Sequence, residues 1–353
     1  MEETLMKNHT LTEIKNQPAS WEQTLKIVPQ QWRDIEKGLT LSPNTKFLFT
    51  GCGTSFYLAQ SAARLFQTVT GHDASAVPAS EIFLNDMSVL SRVAPTVVFA
   101  ISRSGTTSEV LMAVDHLAQH HRAVDVIGVT CTAGSTLEKN TRHHMVLPHA
   151  AEESVVMTQS FTNMLLAIQW IGAALAMRTD LIEELERLPE LADQSLAGAE
   201  HFGKTYGADD DPSFIFLGLG AYYGLAAEAT LKLKEMTQVP CEYYNTLEFR
   251  HGPISIVRAS TRVIILADEA HATYTQSLAR DVRAVEGQVV CLTTQSNSTL
   301  AAERGVFALP DGLSDWSRAV LYMPALHFLA YEKATQLGFD PDAPRNLSQV
   351  VIL

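Results

Sequence analysis

The chain has 353 residues, 46% of them hydrophobic and 18% charged, a balance that suits a globular protein and gives room for two domains of ordinary size. Its formal net charge of −13 argues against nucleic acid or an anionic membrane surface as a partner, yet leaves room for a small anion held locally by backbone N–H groups. No apolar run approaches the ~20 residues that cross a bilayer.

The opening Met1-Glu-Glu-Thr is polar and acidic, which predicts no signal peptide. Cys52, Cys131, Cys241 and Cys291 have no C-x-x-C spacing, so reduced thiols in a cytoplasmic protein are expected. Residues 1–40 carry amphipathic spacing and predict peripheral helices. Thr45–Thr50 is the first buried-strand signal, followed by Gly51-Cys-Gly-Thr-Ser55 and an apolar helix over Tyr57–Phe66. Three further strands are predicted at Val97–Ile101, Val124–Thr130 and His144–Leu147. The loop Ser102-Arg-Ser-Gly-Thr-Thr-Ser108 and a helix over Glu109–Leu117 follow the first of these. Strands alternating with helices imply an open parallel α/β sheet with ligand sites at the carboxyl ends of its strands.

The pattern then repeats. Phe214–Ala221 matches Phe47–Thr54, Arg262–Asp268 matches Thr96–Ile101, Gln288–Thr294 matches Asp125–Cys131, and Phe307–Pro310 matches Met145–Pro148. The offset drifts from 167 to 162 residues while the order is kept, which indicates duplication of one doubly wound domain. The expected organisation is N-terminal helices over 1–40, a first domain over 41–180, a connecting helix and linker over 181–211, a second domain over 212–340 and a tail over 341–353. Between the halves, Glu152–Thr162 reads as the start of a long apolar helix to Met177, with a second helix from Leu181. Asp209–Pro212 marks the linker, and the proline-rich start of Pro341–Leu353 predicts an extended tail.

Two stretches carry chemistry. Read as a helix stopped by Pro240, residues 222–237 put Glu228, Leu231, Lys232 and Glu235 on one face. The loop Cys241–Arg250 then leads to the turn His251-Gly-Pro253. By pattern alone this is either a solvated charged face with a locally satisfied turn histidine, or a catalytic face. Ser102–Ser108 is likewise either an ordinary capping loop or an anion nest of hydroxyls, a glycine and free N–H groups. The matching loop of the second half begins Asp268-Glu269, where two acids repel phosphate, so one anion site per chain is expected.

The stretch "EATLKLKE…LEFRHGP" resembles "E-x-ALKLKE…ELKHGP" in the isomerase half of glutamine:fructose-6-phosphate aminotransferase, within the SIS (sugar isomerase) superfamily. Ser102–Thr107 is similar to that family's phosphate loop "S-Q-S-G-E-T" and Gly51–Ser55 to its "C-G-T-S" turn, and the likeness is collinear over essentially the whole chain. The resemblance implies two tandem flavodoxin-like SIS domains. It implies phosphate contacts from Ser102, Arg103, Ser104 and Thr107, and sugar contacts from Cys52, Gly53, Thr54 and Ser55. Val155, Ser348 and Gln349 are further substrate-binding candidates. It gives Glu235 the role of proton shuttle between C1 and C2, His251 that of ring opening from a neighbouring subunit, and Lys232 an approach to substrate oxygens. A homodimer with shared sites follows, and no metal or other cofactor is expected.

Two departures bear on activity. Met1-Glu-Glu offers no N-terminal cysteine nucleophile, so no glutaminase activity is expected. Where the family tail reads "R-N-L-A-K-S-V", this chain has Arg345-Asn-Leu-Ser-Gln-Val-Val351. Gln349 thus replaces the lysine that forms an imine with a ketose, and an amide forms none. The expected reaction is therefore glucosamine 6-phosphate to fructose 6-phosphate and ammonia. Alternatives are an aldose–ketose isomerase, a fructosamine-6-phosphate-type deglycase, or a non-catalytic sugar-phosphate sensor. Glu235, His251 and the lack of a basic helix-turn-helix segment speak against the sensor.

Overall fold

A computed structural model of the chain describes residues 8–121, 123–208, 213–297, 300, 305–351 and 353. The strands of the first half are β1 (Lys46–Gly51), β2 (Ala74–Pro78), β3 (Thr96–Ile101), β4 (Val124–Thr130) and β5 (His143–Val146). Those of the second are β6 (Ser213–Gly218), β7 (Cys241–Asn245), β8 (Thr261–Leu266), β9 (Gln288–Thr294) and β10 (Val306–Leu309). Each half forms one parallel sheet, ordered β2-β1-β3-β4-β5 and β7-β6-β8-β9-β10. The two orders coincide strand for strand, as the duplication requires, and the fold is two tandem doubly wound α/β domains. The central strands β3 and β8 are buried along their whole length, which is why Val97–Ile101 and Val263–Leu266 read as unbroken apolar runs.

The sequence pattern anticipates four strands in each half, and the structure has a fifth. The additional strands, β2 and β7, lie at sheet edges, with one buried residue each at their starts. Cys241–Asn245, expected as loop, is therefore strand β7. Its alternation is too weak to register because an edge strand packs little on either face.

Helices fill both faces: α1 (His9–Lys15), α2 (Gln17–Glu36), α3 (Thr54–Thr70), α4 (Ala79–Leu84), α5 (Asp86–Val89), α6 (Ser108–His120) and α7 (Thr136–Asn140) in the first part. Then come α8 (Gln159–Leu175), α9 (Thr179–Glu186), α10 (Leu188–Gly207), α11 (Tyr222–Thr237), α12 (Ala272–Ala284) and α13 (Met323–Gln336). None of them is long and apolar enough to cross a membrane. The first two helices are not peripheral: α2 packs against α8, its Trp21 and Trp32 are buried, and the Trp21 indole donates to Thr162 Oγ1 at 2.9 Å. Residues 152–158, expected as the start of this helix, form an ordered loop with Ala151, and α8 begins at Gln159. Helix α11 ends at Gln238, which adopts φ 57°, two residues before Pro240. Asp209–Pro212 lies outside the described residues.

Helices α3 and α11, one from each half, cross with their backbones in contact. A Cβ on Gly224 would lie 2.7 Å from Ser61 N and 2.8 Å from Tyr57 O, so only glycine permits this approach. The crossing brings the start of α3 against the middle of α11. It sets Thr54 Oγ1 3.4 Å from Glu228 Oε1.

Candidate active site

A cleft of about 180 Å³ opens where the carboxyl ends of β1 and β3 face α11. Its first wall is the β1–α3 turn, with Cys52, Gly53, Thr54 and Ser55. Gly53 has φ 53°, a left-handed conformation that glycine takes without strain, and it turns the chain abruptly into α3. Burial pushes the Cys52 thiol up to about 11, and Glu109 adds to this, so Cys52 is a neutral wall group.

The second wall is the β3–α6 loop, of which Arg103, Ser104 and Thr107 line the cleft. Gly105 has φ 64°, and a Cβ there would fall 2.3 Å from Ser135 Oγ. The loop is wired from within: Ser102 Oγ lies 2.9 Å from Thr107 Oγ1 and accepts from Gly105 N, while Ser104 Oγ accepts from Thr106 N. Ser102 is buried and works through these bonds; it does not line the cleft. Arg103 is a clamp. Its Nη1 donates to Glu152 Oε2 and Ser154 O, and its Nη2 to Val155 O and Gln349 O, at 3.0–3.2 Å. Both terminal nitrogens of Arg103 are thus engaged by protein, while the residue itself lines the cleft.

Arg103's partners form the third wall. Val155 and Met157 of the 151–158 loop line the cleft, as do Ser348, Gln349, Val350 and Val351 of the tail. Gln349 Nε2 donates to Glu153 O at 2.8 Å, and Leu353 N donates to Ser108 Oγ at 3.0 Å, so the tail lies across the mouth. Farther back, the Asp342 carboxylate accepts from His9 N and Thr10 N and ties the tail to α1. Glu152 and the tail valines gave no signal as site residues in the sequence, since only the folded chain brings them to β3, and Glu109 reads there as an ordinary first-turn acid of α6.

Helix α11 forms the floor with Lys232 and Glu235. Lys232 is 1% exposed, so the solvated-face reading fails for it, although Lys234 next to it is exposed. Its ammonium pairs with Glu235 Oε2 and lies 3.6 Å from Glu228 Oε1. Burial opposes the charge on Lys232, but the two carboxylates outweigh it and its pKa is raised. Glu228 is wholly buried. Desolvation pushes its carboxyl up to about 8 against the pull of Lys232. His327 of α13 is also wholly buried, and desolvation followed by the Lys232 charge lowers it to about 3, which keeps it neutral.

Glu228 has a consequence for stability. In the unfolded chain it loses its proton near 4.5, but in the fold it keeps the proton to about 8, so the folded state binds more protons between those values. Stability should fall as pH rises through that window. Urea midpoints should show a shallower fall for Glu228→Gln than for the parent, and parallel profiles would contradict the assignment.

His251 follows the short turn Glu248–Arg250 and is exposed; it does not line this chain's cleft. In the second half, the loop matching Ser102–Thr107 is filled from within. Glu269 N and Ala270 N donate to the Asp315 carboxylate at 2.9 and 3.2 Å, and Arg318 pairs with Glu269 and Asp315.

The SIS domain profile matches residues 40–174 and 209–323. A glutamine–fructose-6-phosphate aminotransferase (isomerizing) of Thermus thermophilus is 30% identical over 98% of this chain, which spans 58% of that relative's length. Among solved structures, a glucosamine-6-phosphate deaminase from Thermotoga maritima is 26% identical with a TM-score of 0.83, covering 98% of this chain and 100% of that one. A tagatose-6-phosphate ketose/aldose isomerase from Escherichia coli shares the fold at 22% identity and a TM-score of 0.85, over 97% of this chain and 95% of that one. With its two parallel sheets of one topology each within a matched segment, the chain belongs to the SIS domain family.

Proposed function

We propose that the cleft takes a phosphorylated amino sugar and that the chain converts glucosamine 6-phosphate to fructose 6-phosphate and ammonia. The observation that carries this is the pair of buried Lys232 with half-buried Glu235 facing, across one small cleft, a serine/threonine loop at a strand end. Ser104 and Thr107 present hydroxyls to the phosphate, while Ser102 and Arg103 hold the loop in shape. Glu235 is the cleft-facing carboxylate: it takes the proton from C2 of the open-chain aldose and returns it to C1 through an enolamine. The resulting C2 imine adds water and releases ammonia. Lys232 pairs with the Glu235 carboxylate and offers a cation to the substrate oxygens. Gln349, held at the mouth by the Glu153 carbonyl, forms no imine, and none is needed when the substrate brings its own C2 nitrogen. Similarity to the Thermotoga maritima deaminase over both whole chains supports this choice. An ammonia assay with glucosamine 6-phosphate tests it; conversion of an aldose phosphate without ammonia would favour a plain isomerase.

If Ser104 and Thr107 meet only the phosphate, Ser104→Ala with Thr107→Val should weaken binding of the sugar phosphate by about 10-fold or more, from the lost bonds to a charged group. Binding of the non-phosphorylated sugar should barely change. Equal losses for both ligands, read by calorimetry, would mean that the loop does not hold the phosphate.

His251 is assigned to ring opening in the cleft of a neighbouring subunit, which its exposure on its own chain suits. Mixing inactive Glu235→Gln with inactive His251→Ala chains should then regenerate some intact sites. No recovered turnover after verified subunit exchange would remove His251 from a shared site.

A further inference from the structure

At the far end of α6 from the cleft, three side chains converge that play no part in the chemistry above. Nε2 of His116 and Nε2 of His121 each lie 2.9 Å from the same atom, Asp86 Oδ2. The sequence showed no ligand spacing here, for a physical reason. Residues five apart on a regular helix point about 140° away from each other. His121, however, is the residue that ends α6, with φ −131° and ψ 56°, and this break swings its ring back beside that of His116, centroids 5.6 Å apart. Asp86 arrives from a different element. Ala79 and Ile82 of α4 pack with Val110, Ala113, Val114 and Leu117 of α6, and this small core places the start of α5 over the end of α6.

We propose that Asp86, His116 and His121 form a binding site for a zinc-class divalent ion, with water completing its coordination. One carboxylate oxygen and two imidazole nitrogens all lie within 4.8 Å of one another. Bonds of about 2.0–2.2 Å in a tetrahedron set ligand atoms about 3.3 Å apart, so the present 2.9 Å contacts need open by only about 0.4 Å to admit the ion. Each neutral imidazole carries its proton on the other nitrogen when Nε2 binds the metal, so the exchange is one of tautomer and water mediates it. The donor set of nitrogen and one oxygen suits zinc and its neighbours over calcium or magnesium, which prefer all-oxygen shells. The three side chains are 21–26% exposed, so an ion reaches them from solvent. Since α6 rises about 18 Å between its ends, the ion would sit remote from the cleft, tying α5 to α6.

The untagged full chain, stripped with chelator and dialysed, is titrated with Co²⁺ and then Zn²⁺. The expected result is a visible cobalt band saturating at one equivalent and displaced by zinc, with a higher Tm for the zinc-loaded chain. His116→Ala and His121→Ala should each abolish the band and the Tm shift while leaving the circular dichroism unchanged, and Asp86→Asn should weaken binding about 10-fold or more. No equivalent of cobalt or zinc taken up by the parent chain would overturn the proposal, as would undiminished uptake by the His116→Ala/His121→Ala double variant.

Discussion

Replacing Glu235 with glutamine should lower kcat for ammonia release by at least about 10²-fold, with a smaller effect on KM. The substitution keeps the shape of the side chain and removes its basicity. Glu235 is the α11 carboxylate that lines the cleft, whereas Glu228 lies wholly buried behind it. Lys232 lies beside both, and burial leaves Glu228 with its proton in the neutral range. One helix thus carries two carboxyls in different surroundings, about two turns apart, with Lys232 between them. A Glu235→Gln chain that retains full kcat would move the base elsewhere.

Lys232→Met should be the most damaging single change to both fold and activity. The methionine matches the stem of the lysine but leaves the Glu228 and Glu235 carboxyls without their shared cation at a site where Lys232 is 1% exposed. Removing one partner from such a buried group costs about 3 kcal/mol or more. The urea midpoint should drop accordingly, and ammonia release should fall below detection even in the fraction that folds. If the variant is as stable as the parent, the ion pair is dispensable to the fold.

The architecture was legible because parallel strands buried on both faces leave an unmistakable trace. Val97–Ile101 and Arg262–Leu266 are apolar enough to be found singly, and their shared order with the flanking glycine turns exposes the duplication. The edge strands β2 and β7 left no such trace. Most of the cleft was also legible: Cys52–Ser55, Ser104, Thr107, Lys232 and Glu235 all line it, since they sit on turns and helices that follow strand ends. Arg103 shows the limit. Its place in the loop was readable, but its engagement with Glu152, Ser154, Val155 and Gln349 depends on segments as far as 246 residues along the chain. The Asp86–His116–His121 cluster was hidden likewise, because a helix end had to break before two histidines could meet.

The central claim is that this cleft moves the C2 proton of an amino sugar phosphate and then releases its nitrogen. Glucosamine 6-phosphate incubated with the chain in deuterated water measures both steps at once, deuterium incorporation reporting proton transfer and free ammonia reporting hydrolysis. Fructose 6-phosphate and ammonia should appear in equal amounts, with deuterium incorporated from solvent, and Glu235→Gln should suppress incorporation and ammonia together. Deuterium exchange without ammonia, or ammonia release that survives Glu235→Gln undiminished, would contradict it.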